Sequence, residues 1–107
     1  MEIQAALKLA RRLKNKQWRL WTWKAVMNKH KAKFGFCNPE KKQIELSEYL
    51  VPYMTDKAVR DVIIHEIAHA LTSGYKHDEV WRRKCIALGG SGETTGDYNH
   101  FIGGEKG

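Results

Sequence analysis

The sequence predicts a small α+β domain, in which a few helices pack against a three-stranded antiparallel sheet. Two observations predict this class. Apolar residues recur at helical spacing near the start of the chain and again in its second half, and shorter stretches rich in β-branched and aromatic residues lie between them. Turn residues around Asn38-Pro39 separate two of these shorter stretches, which favours a hairpin.

The first half of the chain is predicted to contain one helix and three strands. The helix runs from Glu2 to about Asn15, because one side of it is apolar through Ile3, Ala6, Leu7, Ala10 and Leu13. Strands are expected over about 18–29, 31–37 and 42–46, with the last two joined as a hairpin, and a short helix over about 47–53 follows. Alternate residues of the first strand share one face: Trp21, Trp23, Ala25 and Met27.

The second half is predicted to contain two helices. The longer one runs from about Asp56 to Ser73, with Thr55 as its N-cap and Gly74 as its C′ residue. Its apolar stripe repeats every four residues through Val59, Ile63, Ile67 and Leu71. The second helix is expected to follow Asp78 as a cap and to end at Gly89-Gly90, with an apolar side formed by Val80, Trp81, Cys85 and Leu88.

Length and composition predict one domain over residues 1–107, with a core over about 18–90 and an irregular tail over 91–107. Hydrophobic residues make up 42% of the chain and the mean hydropathy is −0.59, which is typical of a globular protein. We expect no membrane association and no secretion, and a cytoplasmic or nucleoid-associated location. Cys37 and Cys85 are too few for a disulfide framework or a zinc ribbon and are expected to pack as small apolar residues, although a bridge between them remains open.

The segment His65-Glu66-Ile67-Ala68-His69 lies in the middle of the longer predicted helix. Two histidines four residues apart lie on one face of a helix, so both imidazoles can reach one zinc ion. Glu66 is rotated about 100° from His65 around the helix, which places its carboxylate beside the metal rather than on it. A general base that activates a metal-bound water belongs at that position.

A catalytic zinc ion takes three protein ligands and leaves one position for water. His77 is the predicted third ligand, because it lies between the longer helix, which holds His65 and His69, and the helix that follows Asp78. His100 is a weaker competitor in the Gly-rich tail, and Asp78 and Glu79 are alternatives that would orient or replace a ligand.

Positive charge is concentrated in the first third of the chain. Residues 1–33 contain ten Lys and Arg against one acid, a net charge of +9, whereas the whole chain has a net charge of +7. This asymmetry predicts DNA or another polyanion as a partner. The candidate contact residues are Lys8, Arg11, Arg12, Lys14, Lys16, Arg19, Trp21, Lys24, Lys29, Lys31 and Lys33. The interleaved tryptophans, Trp18, Trp21 and Trp23, are expected to lie at least partly in the core, although an exposed indole could stack on an unpaired base.

Four short motifs follow one another along the chain: Gly35-Phe36-Cys37, Ile44-Glu45-Leu46-Ser47, the segment from His65 to Leu71, and His77-Asp78-Glu79-Val80-Trp81-Arg82. Together and in this order they resemble the SprT-like (Spartan-type) zinc metallopeptidase domain. The resemblance implies a zincin-like fold and a three-histidine endopeptidase that binds one Zn²⁺ through His65, His69 and His77, with Glu66 as the catalytic base. Spartan-type members are DNA-dependent proteases that act on DNA–protein crosslinks, which implies protein substrates and DNA as a partner.

Three other functions remain open. Gly74-Tyr75-Lys76-His77-Asp78 is similar to a segment of the bacterial zinc endoribonucleases of rRNA maturation, which have Gly where Glu66 stands. A nucleic-acid-binding module with a structural zinc ion is the second, and an inhibitor or decoy that retains the fold is the third.

For a peptidase, an oxyanion donor is also needed. Tyr75, Tyr98 and His100 are candidates, and the spacing selects none of them.

Overall fold

The computed structural model describes residues 1–72 and 77–93. In these ranges three α-helices and a three-stranded sheet occur in the order α1 (Ile3–Asn15), β1 (Lys24–Asn28), β2 (Gly35–Asn38), β3 (Gln43–Ser47), α2 (Asp56–Leu71) and α3 (Glu79–Ala87). Single 3-10 turns lie before β1, at Trp18–Leu20, and before α2, at Val51–Tyr53. The α+β prediction is confirmed. None of the helices in the described ranges has the length and apolar character needed to cross a bilayer.

The sheet has the order β1-β3-β2 and is mixed, so the prediction of a purely antiparallel sheet is wrong. β2 and β3 form the expected hairpin, with Gly35 opposite Leu46, whereas β1 lies parallel to β3 on its other side. The chain after β1 therefore passes the end of β3 to reach the far edge. Ser47 holds this crossing, because its Oγ donates to the His30 carbonyl at 2.6 Å and its N–H donates to the Phe34 carbonyl at 3.0 Å. Local turn residues predict only the hairpin, and contacts between distant residues decide where β1 pairs.

The first two strands are shorter than the sequence predicts. β1 begins at Lys24 rather than near residue 18, because residues 18–20 form a 3-10 turn. β2 begins at Gly35 rather than at residue 31, and the short helix expected over 47–53 is reduced to the 3-10 turn at Val51–Tyr53.

The tryptophans before β1 lie mostly outside the core. Trp18 and Trp21 are 79% and 72% exposed, so the expectation that they are at least partly buried is wrong for both. Trp23 is half-buried. The 3-10 turn buries Leu20 instead and directs the two large indoles towards solvent.

Helix α2 lies at the centre of the molecule and contacts α1, α3, β2 and β3. Thr55 caps its start as predicted, because the hydroxyl oxygen accepts from the Ala58 N–H at 3.1 Å. It ends at Leu71, and the predicted end at residues 73 and 74 lies outside the described residues. Since α2 is covered on several sides, every residue from Val62 to His69 is buried, including the polar ones. A polar side chain in this stretch is therefore removed from water.

The outer helices confirm most of the predicted apolar positions. Glu2 caps α1, with its carboxylate accepting from two backbone N–H groups, and the helix buries Ala6, Ala10 and Leu13. Helix α3 buries Trp81 and Cys85, whereas Val80 is 63% exposed and its assignment to the apolar side is wrong. Because α3 is short, the apolar side that it packs against α2 is narrow and consists of Trp81 and Cys85. Both cysteines, Cys37 and Cys85, are free and buried, so no bridge joins them.

Candidate metal centre

Three histidines meet where the middle of α2 faces the start of α3. His65 and His69 stand one turn apart on α2, and His77 stands two residues before α3. The Nε2 atom of His77 lies 3.0 Å from the Nε2 atoms of both other histidines. One ligand atom from each residue lies within 4.8 Å of the other two, which is the geometry of a group that could hold one metal ion. The structure therefore brings together the three residues predicted as ligands.

Helix capping explains how His77 reaches the other two histidines. Asp78 caps α3 as predicted, because its carboxylate accepts from the Trp81 N–H at 3.0 Å. The residue before an N-cap lies outside the helix, so His77 is free to turn its imidazole towards α2. His77 is exposed, whereas His65 and His69 are buried, so the cluster opens to solvent on the His77 side.

The spacing and protonation of these imidazoles fit a zinc ion. A tetrahedral ion with Zn–N bonds of 2.0–2.1 Å separates its ligand nitrogens by about 3.3–3.4 Å, close to the 3.0 Å contacts here. Burial, with the charges of His69 and His77, lowers the pKa of His65 to about 3, and burial with the charge of His77 lowers the pKa of His69 to about 4. Both imidazoles are therefore neutral near pH 7, which is the form that binds a metal.

Glu66 lies beside the histidines without joining them. Its Oε2 is 3.9 Å from the Nε2 of His65, and its side chain is buried. Burial raises the pKa of Glu66 to about 8, while the positive charge of Lys33 opposes this shift. A cation beside a carboxyl group favours its ionised form, so a bound metal would favour the carboxylate that a base requires.

Two residues that sequence reasoning did not connect to the site define its surroundings. Trp81 is buried, and its ring contacts all three imidazoles at centroid distances of 4.7, 5.3 and 4.7 Å for His65, His69 and His77. Its Nε1–H donates to the His65 carbonyl at 3.1 Å. Gly35 of β2 lies so close to Glu66 that an added Cβ would be 3.1 Å from the Glu66 Cγ. The four-residue spacing of His77 and Trp81 could have predicted the contact of Trp81 with the histidines. The contact between Gly35 and Glu66 joins residues far apart in the chain, so local pattern gives no signal for it.

The second nitrogens of the buried ligands differ in their partners. His65 Nδ1 lies 3.3 Å from the Glu93 carbonyl oxygen. His69 Nδ1 is buried and has no hydrogen-bond partner among the described residues. The sequence predicted only an irregular segment after residue 91 and gave no signal for the Glu93 contact.

The two acidic alternatives to the ligands, Asp78 and Glu79, do not join the cluster. Asp78 acts as the α3 cap, and Glu79 pairs with Arg83 at 2.9 Å and with Arg82 at 3.8 Å. The remaining candidates lie outside the described residues: Tyr75, Tyr98 and His100.

Four of the predicted nucleic-acid residues line a groove that shares no residue with the histidine cluster. A groove of about 450 Å³ opens between α1 and the start of β1, and its lining consists of Arg11, Lys14, Asn15, Trp21, Trp23, Lys24, Ala25 and Val26. Most of the predicted cations are exposed, but they do not all converge on this groove. Lys31 lies over the Tyr49 ring at 5.1 Å, and Lys33 lies over the Phe36 ring at 5.3 Å.

Lys14 does not fit the predicted role of an exposed cation. It is buried, and its ammonium group donates to Asn15 Oδ1 at 2.6 Å and to the carbonyl oxygens of Leu20 and Trp21 at 3.3 and 3.5 Å. Burial lowers the pKa of Lys14. These contacts hold the 3-10 turn in place, and the assignment of Lys14 as a phosphate contact stays a prediction.

Comparison with known proteins assigns the family. No curated protein matches the chain significantly. The sequence model of the SprT-like family matches residues 3–100, which is most of the chain and includes all three histidines and Glu66. This match agrees with the resemblance found in the motifs, and the chain belongs to the SprT-like family.

Proposed function

We propose that this protein is a zinc-dependent metallopeptidase that hydrolyses protein substrates. The observation that supports this most strongly is the convergence of His65, His69 and His77 with the carboxylate of Glu66 at one side. Among the described residues the cluster contains three histidines and no fourth ligand. Three ligands are typical of a catalytic zinc site, whereas a structural site is normally closed by a fourth.

In this proposal the zinc ion and Glu66 each have a separate role in hydrolysis. A zinc ion held by the three histidines would lower the pKa of a water molecule towards 7 and polarise the scissile carbonyl. Glu66 accepts the proton of the attacking water and then donates it to the leaving nitrogen. Its position 3.9 Å from His65 Nε2 suits this role, since the carboxylate is near the ion without needing to bind it. The endoribonuclease alternative gives Glu66 no task, so its burial in the site favours the peptidase.

An edge strand of the sheet is the proposed place for the substrate. In the order β1-β3-β2, strand β2 is an edge, and its first residue, Gly35, packs against Glu66. An extended peptide can add to such an edge through main-chain hydrogen bonds. Main-chain recognition depends little on side chains, so we expect cleavage of unfolded segments with low sequence selectivity.

Metal content and proteolysis test this proposal together. We expect one zinc per wild-type chain by mass spectrometry, less zinc in His77→Ala, and hydrolysis of an unfolded protein by the wild type. In Glu66→Gln zinc should remain while hydrolysis falls about 10²–10⁴-fold, because a general base contributes that much. Glu79→Gln is the matched control, since it makes the same change on an exposed carboxylate of α3.

Two outcomes would contradict the proposal. A wild-type chain purified without chelator that contains no zinc would remove the metallopeptidase function. Hydrolysis retained by Glu66→Gln would show that another group acts as the base. RNA cleavage that survives Glu66→Gln would support the endoribonuclease instead, and tight binding to a protein without turnover would indicate a decoy.

We also propose that the protein binds single-stranded DNA through the groove between α1 and β1. Arg11 and Lys24 are exposed beside the Trp21 indole, and the lining contains no acidic residue. Cations neutralise phosphates, and an exposed indole can stack on an unpaired base. The groove adjoins β1, at the edge of the sheet opposite to β2, so DNA bound there leaves the peptide edge accessible.

Anisotropy of a labelled oligothymidine tests the DNA proposal. We expect binding that weakens steeply with salt, and a loss of about 1–3 kcal/mol of binding free energy in Trp21→Ala, which is the usual value of one stacked base. Lys57→Ala is the control for charge, because Lys57 is exposed on α2 away from the groove. Equal affinity of the wild type and Trp21→Ala would contradict the groove as the binding site.

A further inference from the structure

The segment that follows α3 runs back along α2 towards the histidine cluster. Gly89 has a φ of +97°, a backbone conformation that favours glycine and that turns the chain away from α3. Gly90 then packs tightly, since a Cβ there would lie 2.8 Å from both the Ile64 Cγ2 and the Cys85 Sγ. Residues 91–93 are thereby held against the face of α2 that includes Asp61 and His65.

Three polar contacts join this segment to α2, and a fourth lies within the segment. The Ser91 N–H donates to Asp61 Oδ1 at 2.7 Å, and the Ser91 hydroxyl donates to Asp61 Oδ2 at 2.8 Å. The same hydroxyl oxygen accepts from the Glu93 N–H at 3.1 Å. The Glu93 carbonyl oxygen lies 3.3 Å from His65 Nδ1. Asp61 and His65 are one helical turn apart, so residues 91–93 bridge one turn of α2.

We infer that Asp61 is a positioning residue for the metal centre. Through Ser91 it holds the Glu93 carbonyl against His65, and this contact keeps the proton of the imidazole on Nδ1 and the lone pair of Nε2 directed at the metal. The inference rests on the proposed zinc site and adds the residues that orient one of its ligands. We name the group of Asp61, Ser91, Glu93 and His65 the Asp61 relay.

The chemistry of imidazole explains why such a contact matters. A neutral imidazole has one protonated nitrogen and one with a lone pair, and the partner of the first decides which nitrogen can bind metal. A backbone carbonyl accepts but cannot donate, so it favours the proton on the nitrogen that faces it. Loss of such an outer contact typically weakens metal affinity about 10–100-fold.

The two carboxyl oxygens of Asp61 make the relay specific. Both of its oxygens accept from Ser91, one from the backbone and one from the hydroxyl, which sets the orientation of that residue. The Ser91 hydroxyl oxygen then accepts from the Glu93 N–H, which fixes the Gly92–Glu93 peptide immediately before the Glu93 carbonyl. α3 is therefore linked to the site at both ends, by His77 before it and by the Glu93 carbonyl after it.

NMR and zinc titration test the relay with a matched pair of variants at Ser91. Ser91 is exposed, so its substitution leaves the core intact. Ser91→Ala removes the hydroxyl, and Ser91→Thr retains it. We expect zinc affinity, measured by competition with a chromophoric chelator, to fall about 10–100-fold in Ser91→Ala and to stay within threefold of the wild type in Ser91→Thr. Asp61→Asn should resemble Ser91→Ala, and Asp56→Asn, an exposed change in the first turn of α2, should resemble the wild type.

The imidazole nitrogens of the metal-free protein give a readout that does not depend on zinc. Long-range proton–nitrogen correlation spectra should show His65 protonated on Nδ1 in the wild type and in Ser91→Thr, and a mixture of tautomers in Ser91→Ala. His65 protonated on Nε2 in the metal-free wild type would overturn the relay, as would unchanged zinc affinity in a folded Ser91→Ala. A wild type that binds no zinc but has His65 protonated on Nδ1 would contradict the proposed function and leave the relay in place.

Discussion

The histidine cluster and the basic groove differ in how each side chain is held. In the cluster, His65, Glu66 and Trp81 are buried, and His65 contacts both of the others. In the groove, Trp21 and Lys24 are exposed. A buried group that loses its partners costs the full desolvation energy, whereas an exposed group returns to water. Substitutions in the cluster should therefore change folding and chemistry together, and those of the exposed groove residues should change only binding.

A tryptophan in each region gives the largest expected contrast. Trp81→Ala should lower the free energy of unfolding by about 3–5 kcal/mol, because it leaves a cavity against all three imidazoles. Trp21→Ala should change it by less than about 0.5 kcal/mol, since that indole is 72% exposed. Urea unfolding of both variants measures the difference. Equal losses would show that the exposed indole packs more firmly than its exposure indicates.

Removal of zinc should affect only the cluster. At a free zinc concentration about 1,000 times the dissociation constant, binding stabilises the folded state by about 4 kcal/mol. A chelator should therefore lower the Tm of the wild type and have much less effect on His77→Ala. Oligothymidine affinity should be unchanged by the chelator, because none of the groove residues is a histidine. A parallel loss of DNA binding would mean that the two regions are coupled.

Gly35→Ala tests how tightly the edge strand packs on the proposed base. The new Cβ would lie 2.6 Å from the Val62 Cγ1 and 3.1 Å from the Glu66 Cγ, so one of these side chains must move. We expect a loss of about 1–3 kcal/mol in stability and a fall in the rate of hydrolysis with zinc retained. Full activity in Gly35→Ala would show that Glu66 needs no such close support.

Two lysines of the groove should separate stability from binding. Lys14→Met keeps the aliphatic stem but leaves the carbonyls of Leu20 and Trp21 without this donor, so we expect a loss of about 1 kcal/mol in stability. Lys24→Met removes an exposed charge, so stability should hold while the slope of log affinity against log salt decreases by about 0.7. Thermal unfolding and salt titrations measure both. The reverse pattern would place Lys14 rather than Lys24 at the phosphates.

Local pattern predicted the parts of the molecule that depend on neighbours in the chain. The helix capped by Thr55, the hairpin of β2 and β3 and the cap at Asp78 are confirmed, since each depends on residues within a few positions of one another. The same reasoning failed for β1, whose parallel partner lies about twenty residues away. It also failed for Trp18 and Trp21, because hydrophobicity alone does not show which aromatic residues a small core has room for.

The sequence by itself determined which residues can do the chemistry, because the four-residue spacing of His65 and His69 places them on one face of any helix. Only the tertiary structure decided what surrounds them. It brought His77 within 3.0 Å of both and placed Trp81 in contact with all three imidazoles. It also packed Gly35 against Glu66 and joined Asp61 to His65 through residues 91–93. The physical reason is that helical spacing follows from backbone geometry, whereas these contacts depend on how the elements pack, and packing is decided by the whole core at once.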